Sequence, residues 1–176
     1  QHVERFWRGL VSADRVLNTF RSTFVGKASP VHFFWGGFDL ASTRFSGRRA
    51  PTHPGGIPNV ADWVMEEAYS RQVWSAGWWP RSVPPGPAFY AYAYPEPDGF
   101  RSAAVRPAGA LYDPGWGEFL LPHDAVRTAV DPAGVVLEFL QSTYEAAADI
   151  GGWHRPAIEA AQPPSRPPRR PWSVRG

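Results

Sequence analysis

Apolar residues recur at helical spacing from the start of the chain. Val3, Phe6, Trp7, Leu10, Val11, Leu17, Phe20 and Phe24 share one broad stripe, while Arg5, Arg8, Asp14, Arg15 and Arg21 fall largely outside it. The pattern predicts a helix over residues 2–24, with Gly26 able to close it and Pro30 preventing its continuation. Two runs rich in β-formers follow, residues 31–35 and 38–45, on either side of Gly36-Gly37. A two-residue Gly-Gly connection predicts a type I′ hairpin. That turn sets Trp35 opposite Phe38, Phe34 opposite Asp39, Phe33 opposite Leu40 and His32 opposite Ala41, and opposed residues share a face. Val31, Phe33, Trp35, Phe38 and Leu40 then form a core face. His32, Phe34, Asp39, Ala41 and Thr43 form the other, with His32 and Asp39 as diagonal neighbours about 5–8 Å apart.

Glycines and prolines predict a loop over 46–59. Asn59 is the expected N-cap of a short helix reaching about Tyr69, with Trp63 on its apolar side. Residues 72–79 read as a strand, 84–87 as a Pro-Gly loop, and 89–94, strictly alternating, as a second strand. Short strands are expected near 108–112 and 118–121, with a brief helical turn after Pro122. The best-specified element is the last helix. Asp131 is its N-cap, Pro132 its first residue, and Val130 and Val135 a hydrophobic staple. Val136, Phe139, Leu140, Thr143, Ala147 and Ile150 repeat at helical spacing before Gly151-Gly152 stops it. Strands come in consecutive runs, so the fold class is α+β: one domain over 1–160, a largely antiparallel sheet with helices packed on one face. Residues 161–176, rich in Pro and Arg, have no apolar period and are expected to be a disordered tail.

Composition narrows the function classes. The chain has 176 residues and no cysteine, which excludes disulfides, thiolate metal sites and a cysteine nucleophile. The formal charge of +2 is carried by the tail: subtracting Arg166, Arg169, Arg170 and Arg175 leaves −2. That balance gives no expectation of nucleic-acid binding. No apolar run approaches the ~18 residues of a membrane span, so no membrane association is expected, and a cytoplasmic location is.

Nucleotide-binding, zinc-protease and serine-hydrolase signatures are absent. The polar candidates cluster after the first hairpin strand. Lys27, Arg44, Arg48, Arg49 and His53 bring cations to a glycine-rich segment, where guanidinium forks suit a carboxylate or phosphate. They are expected to bind a small anionic or polar ligand, with Tyr92 from the alternating strand contributing a groove wall. The competing expectation is that these arginines pair with Asp62, Glu66 or Glu67 and tie the loop down. His32 oriented by Asp39 is the candidate general base of a hydrolase-like or transferase-like enzyme. No metal site is expected, and the cofactor, if any, stays unknown.

Several blocks are long enough to carry a resemblance: HFFWGGFDLASTRFSGRRAPTHPGG, AFYAYAYPEP, GEFLLP and FLQSTYEAAADIGGW. Over residues 3–155 the chain resembles an uncharacterised bacterial domain-of-unknown-function family. The resemblance implies no activity. It implies that longer members carry a preceding segment of comparable size, so that this chain is similar to their C-terminal half and the other half is an expected partner. Family members tend to read Ser-His-Glu-Val where this chain has Ser70-Arg71-Gln72-Val73. They often carry tyrosine at the position of His123 and aspartate at that of His154, so none of Gln72, His123 and His154 is a catalytic candidate. The positions of His32, Asp39, Arg44, Arg48, Arg49 and His53 match the family pattern.

Overall fold

A computed structural model describes residues 1–57, 60–80 and 86–160. Helix α1 (His2–Arg21) leads into strands β1 (His32–Phe34) and β2 (Asp39–Arg49), then helix α2 (Asp62–Ala68). Strands β3 (Arg71–Trp79) and β4 (Ala88–Tyr94) follow, then β5 (Leu111–Asp113) and β6 (Glu118–Pro122). Helices α3 (His123–Arg127), α4 (Pro132–Ile150) and α5 (Arg155–Ile158) complete the order. The six strands form one sheet in the order β1-β2-β3-β4-β6-β5, and every neighbouring pair is antiparallel. The fold is the expected α+β arrangement, with α1 and α4 packed on one face of the sheet.

The main core lies between those helices and that face. Ala13, Val16, Leu17 and Phe20 of α1 and Val136, Phe139, Leu140 and Tyr144 of α4 meet Leu40, Trp74, Trp78, Phe89, Phe119 and Leu121 of the sheet. Each large apolar side chain buried there contributes about 1.5–3 kcal/mol relative to exposure. Asp131 caps α4 as expected, accepting from the Gly134 amide, and Pro132 is the first helical residue. Val130 is fully exposed, so the expected staple with Val135 does not form. At the other end Gly152 adopts φ 63, a left-handed conformation that glycine takes without steric cost.

The hairpin register is the expected one: His32 opposes Ala41, Phe33 opposes Leu40 and Phe34 opposes Asp39. Its turn is different. Residues 35–38 form a four-residue connection, neither Gly36 nor Gly37 takes a positive φ, and Phe38 does, at 54°. The expected type I′ turn is therefore absent, and Trp35 is not a core residue: it sits at the hairpin tip, 84% exposed. Phe38, half exposed, stacks on Phe6 of α1 at 5.4 Å.

Helix α1 ends at Arg21, three residues short of Phe24, which instead bridges to Glu159 near the end of the described chain. Strand β2 runs to Arg49, past the expected end at Phe45, through an irregularity that shifts register between Phe45 and Arg49. Gly47, at φ 83, lies inside it. Helix α2 starts at Asp62, and Trp63 is 71% exposed rather than packed. The expected cap Asn59, the first half of the expected loop at 84–87 and the expected tail at 161–176 lie outside the described residues. Among the described residues no helix is long and apolar enough to cross a membrane.

Candidate functional site

The sheet face opposite α1 and α4 carries a band of hydroxyl, carboxyl and aromatic groups. Strand alternation puts Ala41, Thr43, Ser75, Gly77, Tyr90, Tyr92 and Leu120 on it, and the register aligns Ala41, Gly77, Tyr90 and Leu120 in one row across four strands. Asp39 opens β2 on the same face and is only 6% exposed. Its carboxylate accepts a short hydrogen bond from the Tyr90 hydroxyl. Tyr90 belongs to β4, and β3 lies between β4 and β2. The phenol crosses β3 over Gly77, where an added Cβ would sit 2.6 Å from its oxygen. The lack of a side chain at Gly77 is what allows the contact.

Burial raises the Asp39 pKa above the usual carboxylate range, a shift that the Tyr90 hydrogen bond and the nearby His32 only partly offset. Burial, with the Asp39 charge beside it, holds the Tyr90 hydroxyl well above the ordinary phenol range. A second hydroxyl pair lies along the same face. The Tyr69 and Tyr92 oxygens are 2.7 Å apart, and both pKa values are raised, chiefly by burial. Thr43 and Ser75 share a third contact at 2.9 Å. The tyrosine rings are parallel, Tyr90 on Tyr92 at 6.3 Å, and Trp79 covers Tyr90 at 4.6 Å. The His53 ring lies 4.8 Å from Tyr69 and 5.1 Å from Tyr94, and its Nδ1 accepts from the Gly55 amide.

The cations expected to gather here point in different directions. Arg44 is on the opposite face, 2% exposed, enclosed by Phe20, Phe24, Trp74 and Tyr144. Alternation along β2 places it with Leu40, not with Asp39. Arg48 reaches the end of α4, donating to the Gly151 and Gly152 carbonyls, and its Nε donates to Gln72 at 3.2 Å. Arg49 is exposed opposite Arg71 in the strand pairing. Lys27 is exposed, its ammonium 5.0 Å from the Phe45 ring. The Arg44–His53 cation cluster is therefore not formed, because alternating side chains of one strand leave by both faces. The competing expectation fares no better: among the described residues Arg44, Arg48 and Arg49 make no ion pair with Asp62, Glu66 or Glu67.

The expected His32–Asp39 dyad is not formed either. His32 is exposed on the edge strand with its ring 4.0 Å from Phe34, and among the described residues no hydrogen bond joins it to Asp39. The carboxylate is oriented by Tyr90 instead. Of the candidate residues, Asp39, His53 and Tyr92 contribute to the polar band. Tyr69, Ser75, Gly77 and Trp79 were not among the candidates; their parity with Tyr90 and Tyr92 is visible for the last three, whereas Tyr69 follows a helix and carries no such signal. Among the described residues no group of three or more His, Asp or Glu side chains converges to hold a metal ion.

A family model described as a family of unknown function, DUF5996, matches residues 1–160. No curated protein and no solved structure matches the chain.

Proposed function

We propose, for a chain that belongs to the DUF5996 family of unknown function, that the tyrosine face of the sheet binds a small, polar, uncharged ligand rich in hydroxyl groups. The observation that carries this reading is the Asp39–Tyr90 pair, a carboxyl and a phenol held together on a sheet face beside Tyr92, Tyr69 and Ser75. Asp39, Tyr90 and Ser75 are buried and fix the face from beneath, while the partly exposed His53, Tyr69, Tyr92 and Tyr94 are the groups that meet a ligand, their rings packing against the apolar faces of a polyol or sugar. With Arg44 and Arg48 turned away, the face has lost the guanidinium forks that an anion would need. The enzyme alternative, with His32 as base, has lost its orienting carboxylate.

A thermal-shift screen of neutral monosaccharides and polyols tests the reading. A ligand at a hundred times its dissociation constant is expected to add about 2.7 kcal/mol of stability, a rise of a few degrees. Tyr92→Phe and His53→Ala are expected to reduce that rise. A panel without any stabilising compound, or variants that respond like wild type, would overturn it.

A second reading, docking of the preceding half of a longer family chain, is supported by a different observation. Val3 and Trp7 of α1 and Trp35 and Phe38 of the hairpin tip are exposed, and Phe38 stacks on Phe6 of α1, which offers apolar side chains from both elements for burial against another polypeptide surface. Such a half, produced separately and mixed with this chain, is expected to co-elute with it in size-exclusion chromatography. A Trp7→Glu/Trp35→Glu variant is expected to elute alone. Wild-type chain that never co-elutes removes this reading.

A further inference from the structure

On the helix side of the sheet an open groove of about 1190 Å³ runs between α1 and the α3–α4 segment. Its walls are largely apolar: Trp78 and Phe89 line it from the sheet, Phe6 and Val16 from α1, Val136 and Leu137 from α4. Its charged lining is mostly cationic. Arg5, Arg8, Arg15 and Arg127 line it against one carboxylate, Asp131, which also accepts from the Gly134 amide at the start of α4. Arg8 is paired with Glu4 at 2.5 Å and Arg127 with Asp124 at 2.6 Å. Arg5 and Arg15 are exposed and have no ion-pair partner among the described residues. A neutral donor lies in the same groove. His123 accepts from the Trp78 indole at Nδ1, 3.3 Å away, which leaves the proton of the neutral ring on Nε2. Burial keeps that ring neutral by lowering its pKa.

We propose that this groove binds a single-chain amphipathic anion, an alkyl carboxylate of medium to long chain. The alkyl chain lies along the apolar walls over Trp78 and Phe89, and the carboxylate rests on the arginine rim of α1. An apolar trough with a surplus of guanidinium groups favours this occupant over a neutral lipid, which leaves the rim unused, and over a cation, which the rim repels. Like charge also disfavours the arginine-bearing residues 161–176 of this chain as the occupant.

Titration calorimetry of the whole chain with octanoate, decanoate and laurate, each below its micelle concentration, tests the proposal. One equivalent is expected to bind, tightening about fourfold per added methylene. Dodecanol and dodecyltrimethylammonium are expected to bind at least about tenfold more weakly than laurate. Ser12→Trp, an exposed groove position, is expected to block laurate without disturbing the fold, as checked by circular dichroism. Arg5→Glu and Arg15→Glu, made separately, locate the carboxylate, and at least one of them is expected to weaken laurate about tenfold. The proposal is overturned if laurate does not bind, if chain length has no effect, if the alcohol or the ammonium binds as tightly, or if Ser12→Trp or both reversals leave binding unchanged. Displacement of laurate by an acidic amphipathic peptide at lower concentration would reassign the groove to a protein partner and likewise overturn it.

Discussion

Arg44→Ala is expected to lower the unfolding free energy by about 3–5 kcal/mol, because it empties a buried position and abandons the groups that the guanidinium serves. The Arg44 guanidinium carbon lies 3.7 Å from the Phe20 ring centroid, 4.5 Å from that of Tyr144 and 4.9 Å from that of Phe24. Its Nη2 donates to the Phe20 carbonyl at 2.5 Å and to the Thr23 hydroxyl at 3.0 Å, holding the C-terminal end of α1 against the sheet. Burial lowers its pKa to about 10, so the side chain remains charged near neutral pH. Among the described residues it makes no ion pair; ring faces, the Phe20 carbonyl and the Thr23 hydroxyl face the charge, with the Glu159 carboxylate acting from farther away. Lysine keeps the charge but has no plane to stack between rings, so Arg44→Lys is expected to recover less than half of the loss. Arg44→Met fills the volume and removes the cost of burying a charge, so it is expected to lie closest to wild type. Urea denaturation of the three variants measures the order. An alanine variant within about 1 kcal/mol of wild type would show that the guanidinium contributes no net stability.

The same residue shows what was legible in the sequence. The hairpin register was recoverable from alternation although the turn type was not, because a two-residue turn at 36–37 and a four-residue turn at 35–38 leave Phe34 opposite Asp39 alike. Alternation from Asp39 also places Arg44 on the helix side with Leu40. Grouping it with Arg48 and Arg49 by charge overlooked that parity, and the cation cluster failed for this reason. Strand ends and helix caps were read where a local group defines them, as at Asp131, and missed where tertiary contact decides. Phe24 leaves α1 to bridge Glu159, a residue far along the chain. The Asp39–Tyr90 pair depends on the order β2-β3-β4 and on a glycine at the crossing point. Neither strand order nor the crossing is a local property, so the carboxyl was legible as a candidate and its partner was not. The groove is built jointly by α1, the α3–α4 segment and the sheet at Trp78, which no single segment encodes.

Alkaline unfolding is expected to begin near pH 10 and to be steep, because tyrosines dominate the titration of the fold. The chain has six. Burial raises the pKa of Tyr69, Tyr90, Tyr92 and Tyr144, and burial followed by the Glu96 hydrogen bond raises that of Tyr112 to about 12. A phenol with a raised folded pKa keeps its proton above pH 10 while the unfolded chain loses it. The folded state then binds more protons, and stability, fully present below pH 10, falls as pH rises. A phenol whose folded pKa lies far above its unfolded value contributes a slope approaching about 1.4 kcal/mol per pH unit, and Tyr90 and Tyr92 are held well above the ordinary phenol range. Arg44 acts in the opposite sense. Its folded pKa of about 10 lies below the unfolded value of 12.5, so above pH 10 the folded state releases that proton first. It offsets the slope of one tyrosine, and the remaining raised phenols, Tyr112 among them, leave a net loss of stability as pH rises. A domain stable by ~5–15 kcal/mol is sensitive to such a loss above pH 10. Tyrosinate absorbance at 295 nm and near-ultraviolet circular dichroism, followed together, are expected to change in one cooperative step. Independent tyrosine titration centred at pH 10 with the dichroism intact would refute the buried tyrosine face. In Tyr90→Phe/Tyr92→Phe the step is expected to broaden, since two of the four buried phenols no longer titrate, and Asp39 and Tyr69 lose their hydrogen-bond partners at every pH.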